Sequence, residues 1–233
     1  MVIDMRYRAV LMDSDETLLN FELAEEKALR ILFDHLAMNY DQVHEDYKRI
    51  NSACWAAYEK GEMTQKELRI RRFSDFLSLH PHALSAETIA AYYENALSMQ
   101  HDELPGALEA VRTISTSLPI AIVTNGIASI QRPRMESCSM RDYFSEIVIS
   151  EEVGFSKPRP EMLLIALQKL GGIAPCNALM IGDSLTSDMR AAQNAGIDFL
   201  WYNPKGKARP EDAWIQYETD RISDFAKYAL MNS

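Results

Sequence analysis

The strongest constraint on this chain is a set of short apolar runs that recur along it and end in polar or small residues, at 9–12, 120–123, 147–149, 178–181 and 199–202. Runs this short, apolar without alternation, have the pattern of strands buried on both faces. Helical patterns lie between the later ones. Pro105 opens one over residues 106–115, because proline is tolerated in a first helical turn, where the missing N–H has no partner to lose. Pro160 opens a second over 161–170, stopped by Gly171-Gly172, and a third spans 183–195 and is closed by Gly196. Strand and helix alternating in this way predict an α/β fold, a parallel sheet covered by helices on both faces.

The stretch between the first and second strands reads differently, as helices with no strand pattern. One helix is predicted over 22–38 and a second over 41–60, stopped by Gly61. Thr64, with Glu67 three residues on, caps a third in a capping-box pattern, and Ser85 and Thr88 sit near the start of a fourth that runs to about residue 98. An all-helical insertion of this length should form its own unit. The expected division is a core from 1–19 and 100–233, with an inserted helical cap at 20–99.

Composition narrows the class of function. The chain has 233 residues, 47% hydrophobic and 25% charged, which suits a globular protein and not a disordered one. No apolar run approaches the ~18 residues a membrane span needs. Met1 to Arg8 carry Asp4 and two arginines with no apolar stretch behind them, so no signal peptide is expected. The three cysteines, Cys54, Cys138 and Cys176, are odd in number and widely spaced. They suggest neither a disulfide framework nor a zinc site, but buried small hydrophobes in a reducing, cytoplasmic compartment. His80-Pro81-His82, the one close histidine pair, reads as a turn. A net charge of −10 excludes long nucleic acid as a partner, since that needs a basic footprint, but leaves room for a small anion at a locally positive site.

The chemistry collects at the strand ends. The first strand delivers Asp13-Ser14-Asp15-Glu16-Thr17, the second Thr124-Asn125-Gly126, the loop after the third Lys157, and the fourth Gly182-Asp183, with Asp188 five residues on. In a parallel sheet these loops share one edge, where such folds bind ligands. Converging carboxylates repel one another, and a divalent cation removes that repulsion; hard oxygen ligands in small number suit Mg²⁺. Mg²⁺ and Lys157 together can hold the phosphate of a small phosphorylated metabolite. The residue types then assign roles. Asp13 attacks phosphorus and forms an aspartyl-phosphate. Asp15 protonates the leaving oxygen and later takes a proton from water. Thr124 binds phosphate through its hydroxyl, and the backbone N–H groups of Asn125 and Gly126, which open a helix, add further donors. Lys157 neutralises charge beside the nucleophile. Asp183 anchors the metal, and Asp188 supports it directly or through water. Pro133 falls inside the helix after Thr-Asn-Gly and is expected to kink it.

These four motifs, Asp13 to Thr17, Thr124-Asn125-Gly126, Lys157-Pro158-Arg159-Pro160, and Gly182-Asp183 with Asp188, resemble those of the haloacid dehalogenase-like (HAD) hydrolase superfamily. The resemblance implies a Rossmann-like core, a C1-type helical cap, and Mg²⁺ ligated in part by the main-chain carbonyl of Asp15. Two further segments, residues 50–61 with Thr64, and 149–154 before Lys157, are similar to the noncanonical pyrimidine 5′-nucleotidase branch. That similarity implies a nucleoside monophosphate as substrate. Asn51, Trp55 and Tyr58 share one helix face at i, i+4, i+7. They either pack inside the cap or present a face on which a base stacks. Arg71 and Arg72 are expected in solvent. A phosphosugar mutase of the β-phosphoglucomutase type would share Asp15 and the cap. A 2-haloacid dehalogenase would need neither metal nor Asp15, since halide leaves unprotonated. A catalytically silent binding protein would have no use for the full set.

Overall fold

The computed structural model describes residues 5–232, so the Met1–Asp4 part of the segment read above for a leader lies outside it. The chain forms two compact units: one from the chain up to Phe21 together with the part from His101 on, the other Glu22–Gln100.

The first unit is built on a six-stranded sheet of order β3-β2-β1-β4-β5-β6. The strands are β1 (Ala9–Met12), β2 (Ile120–Thr124), β3 (Glu146–Ile149), β4 (Ala178–Gly182), β5 (Asp198–Tyr202) and β6 (Tyr217–Thr219). Every pairing is parallel. The five expected strands are all present, and the α/β Rossmann-like reading holds. β6 carries no apolar run because it is a short edge strand, paired only with β5 and half in solvent.

Alternate residues of each strand serve opposite faces. Val10, Met12, Ile120, Ile122, Leu179 and Ile181 enter one apolar layer, and Leu11, Ala121, Val123, Met180, Phe199 and Trp201 enter the other. Both faces are buried, which is why the runs read as continuous. On the first face lie Val111 and Ile114 of a helix at Ala107–Ser115 and Phe225 of another at Phe225–Ala229; on the second lie Met162, Leu163, Ala166 and Leu167 of Glu161–Lys169. Among the described residues, no helix is long and apolar enough to cross a membrane.

The second unit holds four helices: α1 (Phe21–His35, which starts one residue before the unit), α2 (Tyr40–Glu59), α3 (Gln65–Leu79) and α4 (Ala86–Ser98). The capping box at α3 is formed in both directions: Glu67 N–H donates to Thr64 Oγ1 (3.2 Å) and Thr64 N–H to Glu67 Oε2 (2.8 Å). Ser85 caps α4 through Thr88 N–H at 3.3 Å. The interior is aromatic, with Phe33, Tyr47, Phe73, Phe76 and Tyr93 fully buried.

Two expectations are corrected here. Arg71 is exposed and pairs with Asp75, but Arg72 is only 2% exposed. With Leu68, Phe73 and Phe76 it lies on the packed stripe of α3, its guanidinium 4.7 Å from the Tyr93 ring and 5.1 Å from that of Phe73. A cation so placed is stabilised by the negative ring faces. Cys54 and Cys138 are buried and free, whereas Cys176, also free, is exposed.

Candidate active site

β1 hands over to Asp13, whose backbone N–H still bonds Ile181 O (2.9 Å) and so prolongs the sheet pairing by one residue. The chain then curls tightly. Ser14 O accepts from Leu18 N–H and Leu19 N–H, both at 2.9 Å, and Glu16 adopts a left-handed conformation with φ 59°. Asp13 and Asp15 are thereby fixed at the carboxyl end of the central strand.

Lys157 approaches from the loop that follows α7 (Ser150–Val153) and precedes α8, the helix Glu161–Lys169 already met. The helices α5 (Ala107–Ser115) and α6 (Ala128–Ser137) flank β2. Asn125 grips the Lys157 backbone from both sides: its Oδ1 accepts Lys157 N–H and its Nδ2 donates to Lys157 O, each at 2.8 Å. The buried ammonium donates to Asp13 Oδ1 (2.6 Å), Asp188 Oδ1 (2.7 Å) and Val123 O (2.7 Å). Asn125, whose backbone N–H is the group expected on phosphate, thus uses its side chain to set the lysine.

Asp188 arrives by an unforeseen route. The helix expected from Asp183 starts instead as a wide π turn at Leu185–Met189, with Met189 N–H on Ser184 O (3.0 Å), before α9 (Arg190–Ala195) takes over. The turn carries Asp188 back over β4, where its Oδ2 accepts Ser184 N–H at 3.1 Å. Gly182 makes this possible. A Cβ there would stand 2.3 Å from Asp188 Oδ2, far inside contact distance. Asp183 is held through its carbonyl by Trp201 Nε1 at 3.0 Å.

One carboxylate oxygen from each of Asp13, Asp183 and Asp188 lies within 4.8 Å of the others. The electrostatics follow from that crowding. Burial raises the Asp13 carboxyl, Lys157 pulls it back, and Asp188 and Asp183 push it up again, leaving it well above the usual range. Burial, then Asp188, lifts Asp183 to about 6. Burial works against the Lys157 ammonium, but Asp13 and Asp188 more than offset it and hold its proton above the ordinary value. Two crowded carboxyls that resist ionising, and a donor set made only of hard oxygens, fit a small divalent cation.

Thr124 is buried at the end of β2 and accepts from Gln131 Nε2 at 3.3 Å. The Gly126 amide, expected to face phosphate, donates to Ser150 Oγ at 2.9 Å instead. Likewise the first amide of α6, Ala128 N–H, donates to Glu151 Oε2 at 2.7 Å. α6 continues through Pro133 as one helix. Its inner face carries residues that the motif reading missed: Gln131 Nε2 donates to Asp15 Oδ2 (2.6 Å) and Arg134 Nη1 to Asp15 Oδ1 (2.7 Å). Their i, i+3 spacing was the available signal, but it resembles any polar helix face.

In the helical unit, Asn51 is internal: its amide donates to Glu25 Oε1 (3.0 Å) and accepts from Arg72 (3.3 Å). Both ends of that side chain are thus engaged within its own unit. Trp55 and Tyr58 are half-buried and meet edge to face, ring centroids 5.7 Å apart.

Residues 10–202 match the family model of the haloacid dehalogenase-like hydrolases. The chain is 32% identical to the HAD-hydrolase YfnB of Bacillus subtilis over 97% of its own length and 96% of that protein's. A crystal structure of YfnB bound to magnesium superposes with a TM-score of 0.89, covering 97% of this chain and 100% of that one at 31% identity. Pyrimidine 5′-nucleotidase PynA of Streptococcus pneumoniae is 33% identical, covering 94% of each chain. Pyrimidine 5′-nucleotidase YjjG of Escherichia coli is 32% identical, covering 89% of this chain and 91% of that one. The fold and the four strand-end motifs define a hydrolase, and the chain belongs to the haloacid dehalogenase-like hydrolase family.

Proposed function

We propose that this protein is a Mg²⁺-dependent phosphomonoester hydrolase that works through an aspartyl-phosphate on Asp13, and that its substrates are nucleoside 5′-monophosphates, pyrimidine ones above all. The observation that carries the chemistry is the Asp13 carboxylate, held by Lys157 at 2.6 Å beside Asp183 and Asp188, with a second carboxylate, Asp15, two residues on. Asp13, Asp183 and Asp188 would hold Mg²⁺, together with the Asp15 main-chain carbonyl. The bound cation supplies positive charge that neutralises phosphate oxygens and lets the crowded carboxylates ionise.

The chain's own residues then do the rest. Asp13 attacks phosphorus; the Asp13 O–P bond forms as the ester P–O bond breaks. Asp15 gives its proton to the departing alkoxide, so an alcohol leaves. Water next attacks the same phosphorus, Asp15 recovers a proton from it, and Asp13 is freed with release of inorganic phosphate. Lys157 keeps Asp13 oriented and offsets charge throughout. A carboxylic acid at position 15 argues against dehalogenation, where halide leaves without a proton.

The substrate class is supported by the likeness to two pyrimidine 5′-nucleotidases over almost the whole chain. It is tested by measuring phosphate release, with and without Mg²⁺, from nucleoside monophosphates, hexose phosphates and small phospho-acids. Nucleotides should lead in kcat/KM, and chelation should abolish turnover. Undiminished turnover in a verified metal-free preparation would sink the metal assignment; a preference for hexose phosphate would sink the nucleotidase reading.

A further inference from the structure

We infer that Gln131 and Arg134 form a buried clamp that positions Asp15, keeping it available as acid and base and off the metal-binding carboxylate cluster. The inference rests on the reading of Asp15 as the proton donor.

Both Asp15 oxygens are taken by different donors, Oδ1 by Arg134 at 2.7 Å and Oδ2 by Gln131 at 2.6 Å. A carboxylate held at both ends has lost its rotation. The donors are themselves fixed. Arg134 Nη1 also donates to Gln131 Oε1 (2.9 Å), which closes a ring of three side chains, and Gln131 Nε2 reaches Thr124 Oγ1 (3.3 Å). Arg134 is fully buried and Gln131 only 4% exposed.

Charge explains why so unusual a residue stands there. A buried guanidinium is costly unless its N–H groups find acceptors, and Asp15 Oδ1, 119 residues earlier in the chain, is one. Asp13 and Asp15 are two residues apart, yet each has its own buried cation, Lys157 for one and Arg134 for the other. That division keeps Asp15 from adding a fourth carboxylate to the three already crowded together.

A second observation points the same way. A Cβ at Gly126 would lie 2.6 Å from Gln131 Cγ. The glycine of the Thr-Asn-Gly turn, whose amide is spent on Ser150, therefore makes room for the clamp. Thr124, Gly126, Gln131 and Arg134 act as one device around Asp15.

The test uses leaving groups. An alkyl phosphate such as a nucleoside monophosphate needs its oxygen protonated as it departs; p-nitrophenyl phosphate does not. kcat/KM reports on this step, because it stops at phosphoenzyme formation. Arg134→Met and Gln131→Met should each lose ~10–100-fold in kcat/KM on the alkyl ester, part of the ~10²–10⁴ that a positioned acid contributes. On the aryl ester the loss should be several-fold smaller, and Arg134→Lys should recover part of the alkyl activity. Asp15→Asn, measured beside them, should show the same split at full size. If Asp15→Asn lowers both substrates equally, Asp15 is not the acid and the underlying reading fails. If Asp15→Asn splits the substrates but the clamp variants lower both alike, or neither, the positioning role alone is overturned. Thermal melting identifies a variant that does not fold. Gln131→Met removes no charge, so it carries the test should Arg134→Met unfold.

Discussion

Gly182→Ala is expected to damage the site although it replaces no charged residue. The new Cβ would stand 2.3 Å from Asp188 Oδ2, 2.5 Å from its Cγ and 2.7 Å from its Cβ. The strand has no room to retreat, because β4 pairs with β1 on one side and, at Gly182 itself, with Trp201 of β5 on the other. Asp188 is the group that must yield. In moving it gives up Lys157 Nζ at 2.7 Å and Ser184 N–H at 3.1 Å. Overpacking a filled interior costs about 1–3 kcal/mol. A lost hydrogen bond to a charged group costs about 1.5–3 kcal/mol. The two overlap, since relief of the first causes the second, so a total of about 3 kcal/mol is expected. For a protein of this size each kcal/mol lowers Tm by ~2–4 °C, which gives a fall of ~6–12 °C. The Mg²⁺ concentration for half-maximal phosphate release should rise as well. The assay pairs thermal melting in chelator and in Mg²⁺ with a Mg²⁺ titration of activity. A Tm within a degree or two of wild type, with unchanged Mg²⁺ dependence, would show that Asp188 does not lie over Gly182 and would refute the reasoning.

Three further outcomes follow from the same geometry. Asp13→Asn should remove turnover by orders of magnitude with little change in Tm, checked by phosphate release and melting; substantial residual activity would exclude Asp13 as nucleophile. The Asp183 carboxyl is raised from 3.8 to about 6, so the metal-free protein has that stability in full below pH 3.8 and loses it as pH rises through about 6. The loss is on the order of 3 kcal/mol, and stabilisation by Mg²⁺ in denaturant melts should therefore grow over that range; a pH-independent Mg²⁺ effect would contradict it. Trp55→Ala should lower kcat/KM for a pyrimidine nucleotide by ~10-fold or more relative to a hexose phosphate if the indole stacks on the base, worth ~1–3 kcal/mol; equal losses would assign Trp55 to packing.

Much of the core was legible because its strands are buried on both faces, so composition alone marks them: residues 9–12 coincide with β1, and the other four runs fall within one residue of their strands. The helix caps at Thr64 and Ser85 were legible because capping is local chemistry. Asp13, Asp183, Asp188 and Lys157 could be placed together because parallel topology brings strand ends to one edge. What stayed hidden depends on distant partners. Leu68, Arg72 and Phe76 fall on one row of α3, but an arginine on such a row reads as solvated until the rings of Phe73 and Tyr93 are placed beside it. The π turn that carries Asp188 has no local signature, and the role of Gln131 and Arg134 exists only through Asp15, more than a hundred residues away. β6 is an edge strand whose pairing is decided by β5 and not by its own residues.

The central claim, that Asp13 itself carries the phosphoryl group, is tested most directly by trapping. Enzyme, Mg²⁺ and a nucleoside monophosphate are mixed, quenched in acid during turnover, reduced with borohydride and digested for mass spectrometry. An acyl phosphate is reduced under these conditions, whereas a free carboxylate is not. The account predicts that the side chain at position 13, and no other carboxylate, is found as the alcohol, and that Asp13→Asn gives no such product. An untouched Asp13 in actively turning-over enzyme, or reduction at a different carboxylate, would contradict it.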